Sequence, residues 1–273
     1  MWDKPVSESV SALPDGTPLC ALTIPGTHDT MTSACTHPYY RTQTLSLVEQ
    51  LQQGVRFLDL RLRRSMVAAH REWISDITAE SILKDLREHL RAHPRDFVLA
   101  RFQNANEAKD DFAEYGLALK ELIRANRDLF WTPSQALGRT LWPDLGQVRG
   151  KVVAFECAPP ALGLTALDDG PWAVPWHDNP GIILQDDWDG PSEQEKITQI
   201  EELYQSTSDL SRLALNHVSA TNGTLGNPIA YARLLNPRVL HLLQSRRGRG
   251  VLIFDFVDPE LIEAAWRSNS LGA

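Results

Sequence analysis

Two histidines in this chain each follow a short apolar segment, at the point where a strand is expected to end. His28, with Asp29 beside it, comes after LCALTI in the segment IPGTHDT, and His70 ends the segment MVAAH. A third apolar segment, VLIFDF, contains Asp255. Because charged side chains are rarely buried without partners, we expect this carboxylate and the two imidazoles to lie together.

Asp59 and Arg61 form a second chemical signal. They lie two residues apart in the alternating segment VRFLDLRL, so they point to the same face of one strand. Two carboxylates in this arrangement would form a natural site for a divalent cation. An arginine at the second position instead presents a planar fork that suits phosphate oxygens. The sequence therefore predicts a phosphate site without a metal.

Two imidazoles and a guanidinium are the groups needed for metal-free cleavage of a phosphodiester by a neighbouring hydroxyl. One imidazole takes the proton of the hydroxyl, the guanidinium stabilises the charged transition state, and the second imidazole protonates the leaving oxygen. A carboxylate that fixes the tautomer of the basic imidazole completes the set. The alternative is a structural network of ion pairs at the same place.

The elements that must position these groups alternate between strands and helices. The predicted strands are residues 19–24, 55–62, 66–70, 97–102, 151–157, 181–186, 213–219 and 251–256. The predicted helices are residues 79–93, 192–205, 232–245 and 258–269. This alternation indicates parallel βαβ units, and eight strands predict an α/β fold, a single distorted (β/α)8 TIM barrel over residues 1–273. We expect residues 1–13 to form an irregular N-terminal segment.

The barrel is expected to be irregular because the second and third strands leave no room for a helix between them. A doubly wound sheet is the alternative, but no G-x-G-x-x-G follows the first strand. In a barrel, functional residues lie at the carboxyl ends of strands. The candidates there are His28, Asp29, Asp59, Arg61, His70, Gln103, Asp186, Trp188, Asn216, Ser219 and Asp255.

Composition excludes several function classes. The formal net charge is −8, from 27 basic and 35 acidic residues, which disfavours nucleic acid as a partner and binding to anionic membranes by charge alone. Three cysteines without a C-x-x-C pair predict neither a disulfide framework nor a zinc site. We expect a soluble monomer, cytoplasmic if the chain is complete and secreted if a leader was removed.

In order along the chain, LCALTIPGTHDT, QGVRFLDLRLR, a histidine, HPRDFVLARF, LALNHVSATNG and GVLIFDF resemble the catalytic X-region of phosphatidylinositol-specific phospholipase C. The resemblance is to the small bacterial-type, metal-independent enzymes and spans residues 14–269. It implies a distorted TIM barrel that cleaves a phosphatidylinositol-type substrate to diacylglycerol and a cyclic inositol phosphate. It also implies that no metal and no cofactor are required.

The resemblance assigns a role to each of five residues by position. His28 would be the general base and His70 the general acid. Asp255 would orient His28, Asp29 would assist His70, and Arg61 would bind the phosphate.

The resemblance also implies a set of substrate-binding residues, which depart from the family pattern in three places. Cys157 stands where bacterial enzymes place an arginine, Gln103 where a lysine is usual, and Trp188 where a tyrosine is usual. The set predicted to contact the substrate is Asp59, Gln103, Cys157, Asp186, Trp188 and Tyr231. The acid–base groups are thus retained, while the groups that recognise the headgroup are changed.

Three alternative functions follow from the same residues. A similar barrel could act on a non-lipid metabolite, using His28 and His70 but not Arg61. A non-catalytic binding module is disfavoured because all five acid–base positions are present, and a metal-dependent barrel would need a carboxylate pair on the second strand. Aromatic residues in THPYYRTQT and at Trp73 would allow transient contact with a membrane surface, or ordinary packing.

Overall fold

The strands form one large curled sheet and two small hairpins in the computed structural model, which describes residues 10–136, 139–206 and 209–269. The strands are β1 (Thr23–Thr27), β2 (Phe57–Leu62), β3 (Val67–His70), β4 (Trp73–Thr78), β5 (Val98–Asn104), β6 (Ser134–Ala136), β7 (Arg139–Leu141), β8 (Val152–Glu156), β9 (Ala166–Leu167), β10 (Gly170–Pro171), β11 (Ala173–Pro175), β12 (Ile182–Gln185), β13 (Leu213–His217) and β14 (Gly250–Phe254). The helices are α1 (Leu47–Gln53), α2 (Ala79–Ala92), α3 (Phe112–Ala125), α4 (Leu145–Val148), α5 (Glu193–Ser206), α6 (Pro228–Ser245) and α7 (Pro259–Ser268).

Eight parallel strands make up the curled sheet, in the order β11-β8-β5-β2-β1-β14-β13-β12. Within the described residues no strand pairing joins β11 to β12, so the barrel has an open seam there. Asn179 and Trp142 bridge part of this seam, donating hydrogen bonds to the carbonyls of Pro175 (2.8 Å) and Gly181 (2.7 Å). The order of the strands confirms the predicted distorted (β/α)8 barrel.

Aromatic side chains fill the interior of the barrel. The rings of Phe57, Phe155 and Trp176 lie with centroids 5.7–6.2 Å apart, close to the tilted and edge-on arrangements that aromatic pairs prefer. All three side chains are at most 2% exposed. They form a packed floor beneath the carboxyl ends of the strands, where the candidate polar residues are expected.

The first strand differs from its prediction. Residues 19–21 form a 3-10 turn, and β1 extends to Thr27, so Pro25 and Gly26, which follow the predicted strand, lie within the observed one. A Cβ at position 26 would lie 2.7 Å from the Cβ of Phe57 on β2, which explains why glycine is needed. His28 therefore follows a strand that runs one residue beyond the glycine.

The third predicted strand is also placed differently. β3 pairs antiparallel with β2 and with β4, and it is not one of the eight barrel strands. The eighth barrel strand is β11. It is only three residues long and ends in Pro175, so its sequence has no recognisable strand pattern. The predicted number of eight barrel strands is confirmed, but the prediction that residues 66–70 form one of them was wrong.

The four predicted helices are confirmed as α2, α5, α6 and α7. α6 is longer than predicted and continues through Pro237. Residues 10–12 are helical instead of irregular, and residues 1–9 lie outside the described part of the chain. Among the described residues, no helix is both long enough and apolar enough to cross a lipid bilayer.

A buried ion pair ties the start of β2 to the start of β5, at the end of the barrel away from the mouth. Arg56 and Asp96 are fully buried and make two hydrogen bonds, Nε to Oδ1 at 2.7 Å and Nη2 to Oδ2 at 2.5 Å. His89 on α2 lies 3.1 Å from Oδ2. Burial raises the pKa of Asp96, but Arg56 and His89 outweigh it and bring the pKa down to about 2.

We expect Asp96→Asn to lower the free energy of unfolding by about 3–5 kcal/mol, because Arg56 would stay buried without its counter-charge. Since the pKa of Asp96 is lowered on folding, its stabilising effect is complete above about pH 4 and is lost as the pH falls through about 2. Chemical unfolding at pH 7 measures the change. Asp168→Asn is the control, because Asp168 is 96% exposed beside Arg124, and the midpoint should not move. Equal losses in both variants would contradict the expectation.

Candidate active site

Three neighbouring strands at the middle of the sheet bring the acid–base residues together. β1 lies between β2 and β14, and its carboxyl end leads directly to His28 and Asp29. Arg61 projects from β2, and Asp255 follows the last residue of β14. His70 ends β3, which turns back against β2. The parallel register thus gathers at one mouth the five residues expected there.

His28 is fixed on both sides of its ring. Its Nδ1 lies 2.7 Å from Oδ1 of Asp255, and its Nε2 lies 2.6 Å from Nη2 of Arg61. Because a guanidinium can only donate, Nε2 must accept, and Nδ1 must carry the ring proton that is donated to Asp255. The main chain of Asp255 is held in turn by Asn236, whose Nδ2 donates to its carbonyl at 3.0 Å.

Arg61 is the centre of the site, since its guanidinium also contacts two carboxylates. Nε lies 3.0 Å from Oδ1 of Asp29, and Nη2 lies 3.0 Å from Oδ2 of Asp59. The same Asp59 oxygen accepts a hydrogen bond from the amide of Asp29 at 3.1 Å. The arginine side chain is 18% exposed, whereas both carboxylates are buried beneath it. The guanidinium of Arg61 is thus held by two buried carboxylates on one side and lines the cavity on the other.

His70 and Asp29 lie close together, and Oδ2 of Asp29 makes no hydrogen bond within the described residues. Nδ1 of His70 lies 2.8 Å from the carbonyl of Tyr40, which can only accept, so Nδ1 carries a proton. Its Nε2 lies 3.2 Å from Oδ2 of Asp29. A neutral ring with this tautomer has a lone pair at Nε2, so a proton bound to Oδ2 of Asp29 would lie between the two groups and could be transferred.

Burial determines where that proton resides. It lowers the pKa of His70 to about 3, with the charge of Arg61 acting in the same direction. It raises the pKa of Asp29 to about 8, although Arg61 opposes the shift. The proton of the pair therefore resides on Asp29 at neutral pH. Burial and Arg61 also hold the pKa of His28 well below its usual range, which keeps Nε2 unprotonated.

The backbone of this loop is held in an unusual conformation. Asp29 has φ of +43°, in the left-handed region that non-glycine residues seldom adopt. Gln43 secures it, because its Nε2 donates to the carbonyls of His28 (2.9 Å) and Phe254 (2.8 Å). Thr42 Oγ1 donates to the carbonyl of Asp29 at 3.1 Å. The segment after β1 is therefore fastened to the end of β14.

His28, Asp29 and Asp59 also have the composition of a metal site, since one ligand atom from each lies within 4.8 Å of the others. The guanidinium of Arg61, however, already contacts all three residues at 2.6–3.0 Å. A divalent cation would have to displace a positive group that hydrogen-bonds the same atoms. The donor set therefore fits a guanidinium better than a metal ion.

A cavity of about 540 Å³ opens above these groups. Of the residues expected to bind substrate, Gln103, Asp186 and Trp188 line it. Cys157 does not line the cavity, and its Sγ accepts a hydrogen bond at 2.9 Å from Nε of Arg101, which does. Asp59, as described above, lies buried beneath the guanidinium.

Tyr231 is not brought into the cavity by the structure. Its side chain is buried, and its hydroxyl donates to the carbonyl of Pro191 at 2.8 Å. A Cβ at position 223 would overlap that hydroxyl, so the tyrosine packs against the loop at Gly223. The rim of the cavity instead carries aromatic groups, among which Tyr39 is 44% and Trp188 41% exposed.

Sequence reasoning missed three buried polar residues near the site. Arg101 lies inside the apolar segment FVLARF, and His217 inside LALNHVS, so the rule that identified Asp59 and Arg61 also applied to them. The His217 ring lies 6.0 Å from that of His28, and its Nδ1 is 3.6 Å from Asp186.

The third missed residue, Lys196, had no comparable signal because it is one of several charges on a helix. It is fully buried, and its Nζ donates to Oε1 of Gln185 (3.0 Å) and to the carbonyl of Asp187 (2.5 Å). These contacts fasten the residues on either side of Asp186.

Comparisons with known proteins agree with this arrangement. The family model described as PI-PLC X 1 matches residues 18–152. The 1-phosphatidylinositol phosphodiesterase of Listeria monocytogenes is 32% identical over 286 aligned positions, which cover 98% of this chain and 88% of that protein. The 1-phosphatidylinositol phosphodiesterase of Staphylococcus aureus is 23% identical to this chain. The alignment covers 90% of this chain and 87% of that protein.

Among solved structures, the phosphatidylinositol-specific phospholipase C from Listeria monocytogenes is similar over nearly its full length. The superposition has a TM-score of 0.86 at 29% sequence identity and covers 97% of this chain and 99% of that one.

The hydrogen-bond geometry predicts the tautomers of both rings. At pH 7, ¹⁵N NMR should show Nδ1–H and an unprotonated Nε2 for His28, because Arg61 donates to Nε2. In Asp255→Ala the acceptor for Nδ1 is lost but Arg61 still donates to Nε2, so His28 should keep its Nδ1–H. His70 serves as the internal control and should keep its Nδ1–H, since its acceptor is the Tyr40 carbonyl. An Nε2–H signal for His28 in the unsubstituted protein would show that the assignment is wrong.

Proposed function

Because this chain belongs to the phosphatidylinositol-specific phospholipase C family and is therefore a phosphodiesterase, we propose that it cleaves phosphatidylinositol without a metal ion. The ring hydroxyl next to the phosphate attacks phosphorus, and the products are diacylglycerol and a cyclic inositol phosphate. The relatives named 1-phosphatidylinositol phosphodiesterase support the substrate. The observation that carries the mechanism is that Arg61 contacts both His28 and Asp29, so one cation lies between the two proton-transfer groups.

His28 is the general base in this proposal. Its Nδ1 proton is held by Asp255, so the lone pair of Nε2 faces the position of Arg61 and the cavity. When substrate binds, the attacking hydroxyl replaces the guanidinium at Nε2 and gives up its proton there. The carboxylate of Asp255 then stabilises the imidazolium that forms, as an orienting acid does in a catalytic triad.

Arg61 stabilises the charge that develops on the phosphorane-like transition state. Asp29 and Asp59 hold its guanidinium from below, so the remaining N–H groups are already oriented before substrate arrives. Such preorganised donors act without reorganisation in a partly water-excluded site. The arginine thereby takes the electrostatic role that a divalent cation has in metal-dependent phosphodiesterases.

His70 and Asp29 together are the general acid. At rest the proton of this pair lies on Oδ2 of Asp29, 3.2 Å from Nε2 of His70, and during the reaction it passes to Nε2. As the bond to the glycerol oxygen breaks, that oxygen accepts the proton from Nε2, and the Tyr40 carbonyl keeps the ring in orientation. The two histidine rings lie 6.2 Å apart between centroids, and Oδ2 of Asp29 contacts both of them, 3.3 Å from Nε2 of His28 and 3.2 Å from Nε2 of His70.

The mouth of the cavity faces the lipid surface in this proposal. Tyr39 and Trp188 are exposed at the rim, where amphipathic aromatic rings can lie at a bilayer interface. Contact of this kind would be transient and would not depend on charge, since the chain carries a net charge of −8.

Phosphatidylinositol vesicles with excess chelator test the reaction. We expect ³¹P NMR to show a cyclic phosphate, with an unchanged rate when chelator is added. His28→Ala and His70→Ala should each lower the rate by about 10²- to 10⁴-fold, because each removes one proton transfer. Complete loss of activity on chelation would exclude the metal-free mechanism. An unchanged rate in Arg61→Lys would show that Arg61 does not bind the phosphate.

The pH dependence tests the shared proton. Since burial raises the pKa of Asp29 to about 8, kcat/KM should be flat at neutral pH and fall about tenfold per unit above pH 8, as the proton is lost. No fall is expected from pH 7 to pH 5.5, because the pKa of His28 lies well below its usual range. Asp29→Asn should lower the rate about 10²- to 10⁴-fold and remove the alkaline limb.

The exposed carboxylate variant Asp168→Asn is the control and should keep the original profile. An alkaline limb that persists in Asp29→Asn would assign the titrating group to another residue.

A further inference from the structure

Arg101 is a buried cation at the cavity that the acid–base chemistry does not require. It projects from β5 into the barrel, and its side chain is 7% exposed. Its Nη1 is 3.6 Å from Oδ1 of Asp59, a longer contact than the 3.0 Å between Asp59 and Arg61. Asp59 is thus already compensated by Arg61 and by the amide of Asp29. A second buried guanidinium needs another explanation.

Three strands hold the guanidinium of Arg101 in one orientation. Its Nε donates to Sγ of Cys157, after β8, and its Cζ lies 4.2 Å from the ring centroid of Trp176, after β11. Stacking and hydrogen bonding together fix the plane of the group. Since Arg101 lines the cavity, its remaining N–H donors are available to a bound molecule. A rigid, desolvated donor of this kind is suited to recognition.

Asp186 supplies an acceptor in the same cavity. Its side chain is 26% exposed, and it follows β12 with its flanking residues fastened by Lys196. A hydroxyl group both donates and accepts, so it can be satisfied by a guanidinium and a carboxylate together. A second phosphate would fit less well, because the carboxylates of Asp186 and Asp255 both line the cavity.

We propose that Arg101 is a specificity-determining residue, which donates to a neutral ring hydroxyl of the headgroup remote from the reacting phosphodiester. This inference rests on the proposed function, because it concerns the same cavity and substrate. Cys157 leaves room for the guanidinium, since a larger side chain at that position would occupy the space into which Arg101 reaches. The cation at this place therefore comes from β5, because the segment around Cys157 contains no basic residue.

Binding of free myo-inositol, measured by calorimetry without turnover, tests the role of Arg101 independently of catalysis. Arg101→Gln should weaken binding about 10- to 100-fold, the range expected for one charge-assisted hydrogen bond. Arg87→Gln is the matched control, since Arg87 pairs with Asp128 on the outer surface, and binding should be unchanged. Absence of inositol binding by the unsubstituted protein, or equal binding by Arg101→Gln, would overturn the proposal.

A relocation variant separates recognition from packing. Arg101→Ser combined with Cys157→Arg moves the guanidinium from β5 to β8 within the same space, and it should bind inositol more tightly than Arg101→Ser alone. In turnover of phosphatidylinositol, Arg101→Gln should raise KM more than it lowers kcat and leave the alkaline limb near pH 8 in place, because Arg61 still holds Asp29.

Two results would overturn the proposal. The first is that Arg101→Gln lowers kcat and leaves KM unchanged. The second is that the unsubstituted protein binds inositol 4-phosphate more tightly than inositol and that Arg101→Gln loses this preference. The latter would show that the site takes an anion. If inositol binding depends on Arg101 but phosphatidylinositol is not cleaved, the proposed function fails and the recognition site stands.

Discussion

The site depends on one buried cation that satisfies several partners at once. Without Arg61, Asp29 and Asp59 would be two carboxylates beneath a cavity, in a place where neither is solvated. With it, Asp59 keeps its charge and the lone pair of His28 has a donor. Burial still favours the neutral form of Asp29, and this preference leaves a transferable proton beside His70. Charge compensation therefore comes from the guanidinium, whereas the proton on Asp29 is kept by burial, against the effect of Arg61.

Much of the fold and most of the acid–base group could be predicted from the sequence, because both depend on local signals. A charged side chain inside an apolar strand needs a partner, and this rule identified Asp59 and Arg61 directly. The parallel order of strands then placed the residues that follow β1 and β14 beside them. Strong alternation in β2 and clear amphipathic patterns in the helices made these elements recognisable.

The remaining features depend on contacts between residues far apart in the sequence, so no short sequence segment predicts them. β11 has three residues and is a strand only because β8 lies beside it. The short segment MVAAH has strand character, but whether it joins the barrel or folds back as a hairpin depends on β4. The acceptor that fixes His70 is the backbone carbonyl of Tyr40, so any residue type could stand there. Arg101 was overlooked although it obeyed the rule that found Arg61, because its partner Cys157 carries no charge.

The open seam between β11 and β12 has a consequence for how such an enzyme can change during evolution. His28, Asp29, Arg61 and Asp255 lie on or directly after β1, β2 and β14, near the centre of the sheet, where each strand is bonded on both sides, and His70 ends β3, which pairs with β2. Asp186 and Trp188 follow β12, at one free edge, and Trp176 follows β11, at the other. Replacements near the seam can reshape this wall of the cavity without disturbing the central strands. The architecture thereby separates the part of the cavity that can vary from the part held by the central strands, and under the proposed function new specificities could arise without change to the acid–base residues.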